Sequence, residues 1–367
     1  MTILNGIDDA SLTKLLAGDL PVASVYFNLR ATPQSDAFLR WRTVAAGLTE
    51  LGAPVATVEA LAERVLGAVP GPGVLAAFVR GTEVTLTVVL PGADVPDVAR
   101  YGALPYLRPL LAWEQEHPAR VLAVLDRTGA DLSVYAAGSA ERLDLVVTGP
   151  DDEIERNAPG GWSQGRYQHR AEDSWEHNAV AVAEVLARLL RRYHAQVLLL
   201  AGDVRALQYL QEHLPRWTHA GVTVRRLRGG RSEDGSAARL AEQVAVQTHR
   251  IVAEQIEESL AEFAAQAGTG GAAVQGPDET FAALAAGRVR VLLLPACPAG
   301  HARAWFGPGP TDVALDPDPP WRAGIQAYEA SLEDVAIRAA MLTGAEVRLV
   351  SDGPNVFATA ALCRFIP

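Results

Sequence analysis

Residues 157–173 read NAPGGWSQGRYQHRAED, and their side-chain types suit contact with a polyanion. The pair Gly160-Gly161 lets a backbone take positive φ or approach a partner closely. Trp162 offers a ring that can stack on a base, and Ser163 and Gln164 offer hydrogen-bonding groups. Arg166, His169 and Arg170 can contact phosphates. No acid stands between Arg156 and Ala171. A second acid-free window, residues 213–232, holds Arg216, Arg225, Arg226, Arg228 and Arg231. One such run is usually a solvated loop between acidic helices; two in one region point to a local RNA-facing surface. Asp126 ends an apolar run, with Asp144 and Asp203 as companions, so a two-metal nuclease is conceivable if the three carboxylates converge. As the first residue of Asp126-Arg127-Thr128-Gly129, however, Asp126 is expected to start a turn. Cys297 and His301 stand four apart, but Pro298 and Gly300 break any helix between them. Cys297 is expected to be a buried thiol, His301 a loop residue, and no metal site or other cofactor is expected. Gly71-Pro-Gly73 and Gly307-Pro-Gly309 read as turns, not phosphate loops.

Composition limits what these residues can serve. The chain has 367 residues, 49% hydrophobic and 20% charged, enough for two or three cores. Its 32 Lys+Arg against 43 Asp+Glu leave a net charge of −11. That opposes general, salt-driven nucleic-acid binding, and DNA is not an expected partner. Two cysteines cannot build a disulfide framework. No apolar run reaches the ~18 residues of a membrane span, and the N-terminus lacks the regions of a signal peptide, so a cytoplasmic location is expected.

The elements that would position the candidate residues fall into three α/β segments. In 1–118, VASVYFNLR reads as a strand and is followed by helices near 36–51 and 57–66. A hairpin then turns at Arg80-Gly81-Thr82, and a proline-bearing connector, YGALPYLRPLLAWEQEHP, leads out. In 119–267, RVLAVLDRTGADLSVYAAG supplies two strands and ERLDLVVTG a third. The candidate loop comes next, then a long helix from about Ala171 to His194. The strand AQVLLLAG, a helix, the strand GVTVRRLRG and a closing helix from about Ser236 to Gln266 complete the segment. Three antiparallel strands followed by alternating helix and strand predict an RNase H-like fold. In 268–367, a Gly-rich linker precedes a helix near 279–286, the strand RVRVLLLP, a loop segment, a helix near 328–342 and the strand AEVRLVSDG, a small α/β layer domain.

This order resembles the archaeal and eukaryotic class-1 peptide-release factors and Pelota, most closely their bacterial branch, which includes ribosome-hibernation factors. The residues carrying it are VLAVLDRTGADLSVY, the projecting Gly160-Gly161-Trp162-Ser163-Gln164 at the place of the family's Gly-Gly-Gln loop, and FAALAAGRVRVLLLP with LTGAEVRLVSDG in the third segment. The resemblance covers residues 119–367 well and is weak before them. It implies a ribosomal A-site ligand that touches rRNA and P-site tRNA with the loop. It also implies a third domain that recruits a translational GTPase. Two departures bear on activity. Trp162 and Ser163 place Gln164 two residues late for positioning the attacking water, where a ~1 Å displacement can cost ~100-fold in rate. The Asn-Ile-Lys-Ser decoding motif is absent, and Lys14, the only lysine, lies in a helix-like stretch. The expected role is protection of idle ribosomes. The alternatives are peptidyl-tRNA hydrolysis with Gln164 placing water, and an Asp126 nuclease.

Overall fold

The computed structural model describes residues 9–17, 21–30, 34–126, 128–137, 142–148, 164–215, 218, 221–231, 236–267, 272–297, 300, 302–318, 325–351 and 359–365. Of residues 9, 34–35, 164–174 and 236–237 it describes the backbone alone. The chain divides into two compact units, residues 116–254 with 1–6, and residues 7–115 with 255–367.

The first unit is built on a five-stranded sheet in the order β7-β6-β5-β8-β9. Its strands are β5 (Arg120–Leu125), β6 (Gly129–Tyr135), β7 (Arg142–Thr148), β8 (Val197–Gly202) and β9 (Thr223–Arg226). β5, β6 and β7 run antiparallel, whereas β8 and β9 join parallel to β5. This is the RNase H-like order expected from the sequence. β8 reads VLLLAG because both of its faces are covered. One face carries α5 (Gln164–Arg192) and α6 (Val204–His213), which bury Val182, Leu186, Leu190, Leu207 and Leu210 against Val121, Leu132 and Leu198. The other face packs Leu122, Val124, Val197 and Leu199 on Val244 and Ile251 of α7 (Ser236–Gln266).

In the second unit, a sheet in the order β3-β2-β1-β4 comprises β1 (Val22–Asn28), β2 (Gly73–Arg80), β3 (Glu83–Pro91) and β4 (Val98–Gly102). α2 (Gln34–Glu50) and α3 (Val55–Leu66) cover one face, with Trp41, Leu48 and Leu61 on Val25, Phe27 and Ala77. The opposite face holds Tyr26 and Phe78 and joins α1 (Asp9–Ala17) and α4 (Arg108–Glu116). The stretch expected to be a connector therefore holds the end of β4 and the whole of α4. Pro109 sits in the first helical turn, where its missing N–H breaks no hydrogen bond.

The later residues form a second sheet, β10-β16-β11-β15, from β10 (Ala273–Gln275), β11 (Val289–Pro295), β15 (Glu346–Val350) and β16 (Ala360–Cys363). α8 (Pro277–Ala285) and α9 (Leu332–Leu342) pack beside it. The expected loop segment contains a third sheet, β13-β12-β14, from β12 (Arg303–Phe306), β13 (Val313–Ala314) and β14 (Tyr328–Ser331). α9 accordingly begins at Leu332, capped by Ser331, not near residue 328.

The first and third segments expected from the sequence share one core: Leu15, Tyr26, Phe78 and Leu110 cluster with Phe281, Leu292, Val335 and Ala340. Buried polar groups tie them as well. The Arg108 guanidinium donates to the carbonyls of Pro295 (2.6 and 2.9 Å) and Ala296 (3.3 Å) and pairs with Glu333 at 3.1 Å. Arg338 donates to Leu16 O at 3.3 Å and to the carbonyls of Pro308 and Gly309. The Gln115 amide pairs both main-chain groups of Leu349, at 2.8 and 2.9 Å, and so caps the outer strand of the second sheet. Cys297, expected to be buried, is exposed because it follows the end of β11; Cys363, on β16, is the buried thiol. No described helix is long and apolar enough to cross a membrane.

Candidate functional site

Asp126, Asp203 and the arginines 225–231 lie at or after the ends of β5, β8 and β9. The edge hairpin of β6 and β7 runs in register from Gly129↔Thr148 to Tyr135↔Arg142. β7 ends at Thr148, and Gly160, Gly161, Trp162 and Ser163 lie outside the described residues, as does Arg216. α5 begins at Gln164, seven residues earlier than the apolar periodicity suggests. Gln164, Arg166, His169 and Arg170 thus stand in the first two turns of a helix and not in a loop. At 3.6 residues per turn, positions 166, 169 and 170 share one face. The helix opens with no acid in its first turn, although its N-terminal dipole favours negative charge. A helix N-terminus of this composition suits an anion, because the N–H groups of a first turn and basic residue types both favour negative charge.

The second window divides by environment. Arg225 pairs with Glu254 at 2.5 Å, and Arg226 donates to the Gln211 side chain. Arg228 is exposed; its backbone N–H donates to Gln243 Oε1 at 3.0 Å, and its guanidinium has no partner among the described residues. Arg231 is different. It forks onto Asp131 with bonds of 3.0 and 2.8 Å, and its Nη1 donates to Asp126 Oδ1 at 3.0 Å. This cation serves the interior of the unit.

The carboxylates expected at a nuclease centre are engaged separately. Asp126 Oδ1 also accepts from the Thr128 amide (2.8 Å), the Thr128 hydroxyl (2.7 Å) and the Gly129 amide (3.1 Å). Partial burial pushes this carboxyl up, but the Thr128 bonds and Arg231 outweigh it and hold the group below the ordinary carboxylate range. Asp203 caps α6, accepting from the amides of Arg205 and Ala206. Asp144 pairs with Ser133 and Arg142 on β7. Its cross-strand row is that of Leu122, three residues from the row of Leu125, or roughly 10 Å along the sheet. Asp126 thus faces a guanidinium where a nuclease would need a metal. Among the described residues no group of three metal-binding side chains occurs. His301 lies outside the described residues.

Residues 119–269 match the family described as bacterial archaeo-eukaryotic release factor family 2. An uncharacterized protein of Mycobacterium tuberculosis (strain H37Rv) is 30% identical over 314 residues, 83% of this chain and 82% of the relative. The chain belongs to the bacterial archaeo-eukaryotic release factors. The stretch that matches this family begins just before β5 and ends just after α7, enclosing the whole RNase H-like sheet. Among solved structures, an archaeal translation termination factor, aRF1, is similar over 97% of each chain at 17% identity, with a TM-score of 0.24. Saccharomyces cerevisiae Dom34, a translation termination-like factor, is similar over 100% of this chain and 95% of its own, at 8% identity and a TM-score of 0.42.

Sequence reasoning found the turn at Asp126 but not the partners of the cations. Glu254, Gln211 and Asp131 lie 29, 15 and 100 residues from Arg225, Arg226 and Arg231. No local spacing signals such pairs.

Proposed function

We propose that this release-factor-like protein binds the ribosome in the A site and protects idle particles, with residues 157–170 directed at the peptidyl-transferase centre. The observation that carries the reading is the start of α5 at Gln164. It puts positions 166, 169 and 170 on one face of a helix N-terminus without acids, directly after Gly160-Gly161-Trp162-Ser163 in the sequence. That is a suitable tip for rRNA and the end of a P-site tRNA. Peptidyl-tRNA hydrolysis is not part of the proposal: Trp162 and Ser163 separate Gln164 from the glycine pair, and Gln164 belongs to a helix. The expected division of labour assigns ribosomal RNA contact to 119–267, and contact with a translational GTPase to 268–367, with 1–118 as a further α/β domain.

Co-sedimentation with 70S particles tests the reading. The Arg166, His169 and Arg170 triple alanine variant should bind more weakly and show a salt slope shallower by roughly 2, on the order of 0.7–0.9 per lost phosphate contact. Absence of binding by the wild-type chain at physiological salt refutes the ribosomal role. Release of a labelled peptide from stalled complexes that stops in Gln164→Ala would replace protection by rescue.

A further inference from the structure

The second unit contains a cleft that the ribosomal reading does not use. Its volume is about 540 Å³, within the ~300–1,000 Å³ of small-ligand sites. Residues 100–104 form one wall and residues 329–334 the other. Consecutive lining is informative, because a strand that faces a cavity with its side chains contributes alternate residues. Here neighbours in sequence line the space together, Arg100 to Gly102 on β4 and Glu329 to Ser331 on β14, so each strand turns its edge and not one face to the cleft.

Each wall includes a strand edge: the first is β4 with the two residues after it, and the second is β14 running into the first turn of α9. β4 is the outer strand of its sheet and pairs only with β1 among the described residues. β14 is the outer strand of its own sheet and pairs only with β12. Each therefore turns a row of main-chain donors and acceptors outward, a feature that proteins usually cover or blunt. The cleft has an apolar lining from the buried Leu104, Ala330 and Leu332. Its charges are mostly matched. Arg303 pairs with Glu329 at 3.1 Å, and Glu333 with the buried Arg108. Arg100 lies over the Tyr106 ring at 5.5 Å, and the Asp334 carboxylate accepts from the Ser331 hydroxyl at 2.6 Å. A polyanion gains nothing from such a balanced lining, whereas a polypeptide backbone, with donors and acceptors in alternation, matches it.

We propose that this cleft receives an extended segment of a partner protein, which adds as a strand to the free edge of β4 with β14 as the facing wall. The three residues of β4 that line the cleft, Arg100 to Gly102, set the paired length: at ~3.4 Å per residue, about 10 Å can pair. The segment alternates apolar residues, turned onto Leu104 and Leu332, with polar ones. It carries a lysine or arginine against Asp334. Main-chain pairing supplies the affinity, and the alternate side chains supply the selectivity. The inference is independent of ribosome binding, since the cleft belongs to the other unit.

Gly102 provides a clean blocking variant. It lines the cleft, and a Cβ added there meets nothing within 4 Å, so Gly102→Phe fills the opening without disturbing the sheet. A displayed library of linear heptapeptides is panned against the full chain, and the enriched peptides are synthesised. The expected result is alternating apolar peptides with a basic residue. They should bind one per chain, protect the amides of 98–104 and 328–334 from deuterium exchange, and weaken at least tenfold on N-methylation of alternate peptide bonds. Gly102→Phe should abolish binding with its melting temperature unchanged, and Asp334→Asn should weaken it several-fold. Three outcomes overturn the proposal: no peptide enriched, enriched peptides that bind Gly102→Phe equally, or a 16-residue oligouridylate that protects the same amides in place of a peptide.

Discussion

Asp334 should make the second unit less stable at neutral pH than in mild acid, and Asp334→Asn should remove that dependence. The side chain sits at the third position of α9 beside the cleft, where burial pushes its carboxyl up from 3.8 to about 6. Its bond with the Ser331 hydroxyl, together with Arg108 and Arg100, favours the charged form, and Glu333 opposes it. Burial wins. Below about pH 4 the group is protonated whether the chain is folded or not, and nothing is lost. As pH rises from about 4 to about 6, the unfolded chain releases the proton while the folded one keeps it. Stability therefore falls across that window and stays lower above it. Two pKa units at 1.36 kcal/mol each give as much as about 3 kcal/mol.

Asparagine keeps the size of the side chain, and its oxygen still accepts from Ser331, but it has no charge to desolvate. Urea unfolding of both proteins at pH 4, 5, 6 and 7.5 isolates the term, because every other titrating group cancels in the difference. The curves should nearly coincide at pH 4, and the variant should be more stable by roughly 1–3 kcal/mol at pH 7.5. A variant less stable at pH 7.5, or a difference that does not change with pH, would refute the argument that burial outweighs Arg100 and Arg108.

Three other substitutions probe the remaining joints. Arg231→Met leaves Asp126 and Asp131 adjacent without their cation and should cost roughly 1–3 kcal/mol. Thermal melts should show the deficit shrinking with added salt, since both acids are partly exposed. Arg108→Met removes the buried cation from Glu333 and the donor from the Pro295 carbonyl and should cost about 3–5 kcal/mol, read as a lower urea midpoint with faster proteolysis. Gly202→Ala places a Cβ 1.9 Å from the Leu125 carbonyl oxygen, at a φ of +129°, so about 3 kcal/mol or more should be lost in urea melts.

The central strands β1 and β8 were legible in the sequence because burial on two faces leaves continuous apolar runs, VASVYF and VLLLAG. The hairpin of β2 and β3 was legible from Gly81, which takes a φ of 63° between them. Short elements were not. β12, β13 and β14 have two to four residues each, too few for a period to emerge. β4 and α4 were hidden by three prolines that reading from composition alone turns into a connector. The start of α5 was missed for a related reason: the stretch QGRYQHRAED holds too few apolar residues for a helical period to emerge, so nothing in it signals a helix.

The charge map has the same origin. A window without acids measures only the absence of neighbours in sequence, whereas a guanidinium pairs with whatever the fold brings near. Arg231 looked as available as Arg228, yet its two carboxylates come from 100 and 105 residues earlier, across the turn between β5 and β6. Arg225 is likewise met by an acid of α7. Within that window this leaves Arg228 as the described cation most open to phosphate, while Arg166, His169 and Arg170 stand in the first two turns of α5. A ribosome contact made by the window as a whole would weaken equally on loss of Arg231 or Arg228. A contact made by free charge alone would weaken with Arg228→Ala and be insensitive to Arg231→Met at temperatures where that variant is folded. Sedimentation of these two variants therefore separates charge that the fold consumes from charge that it presents.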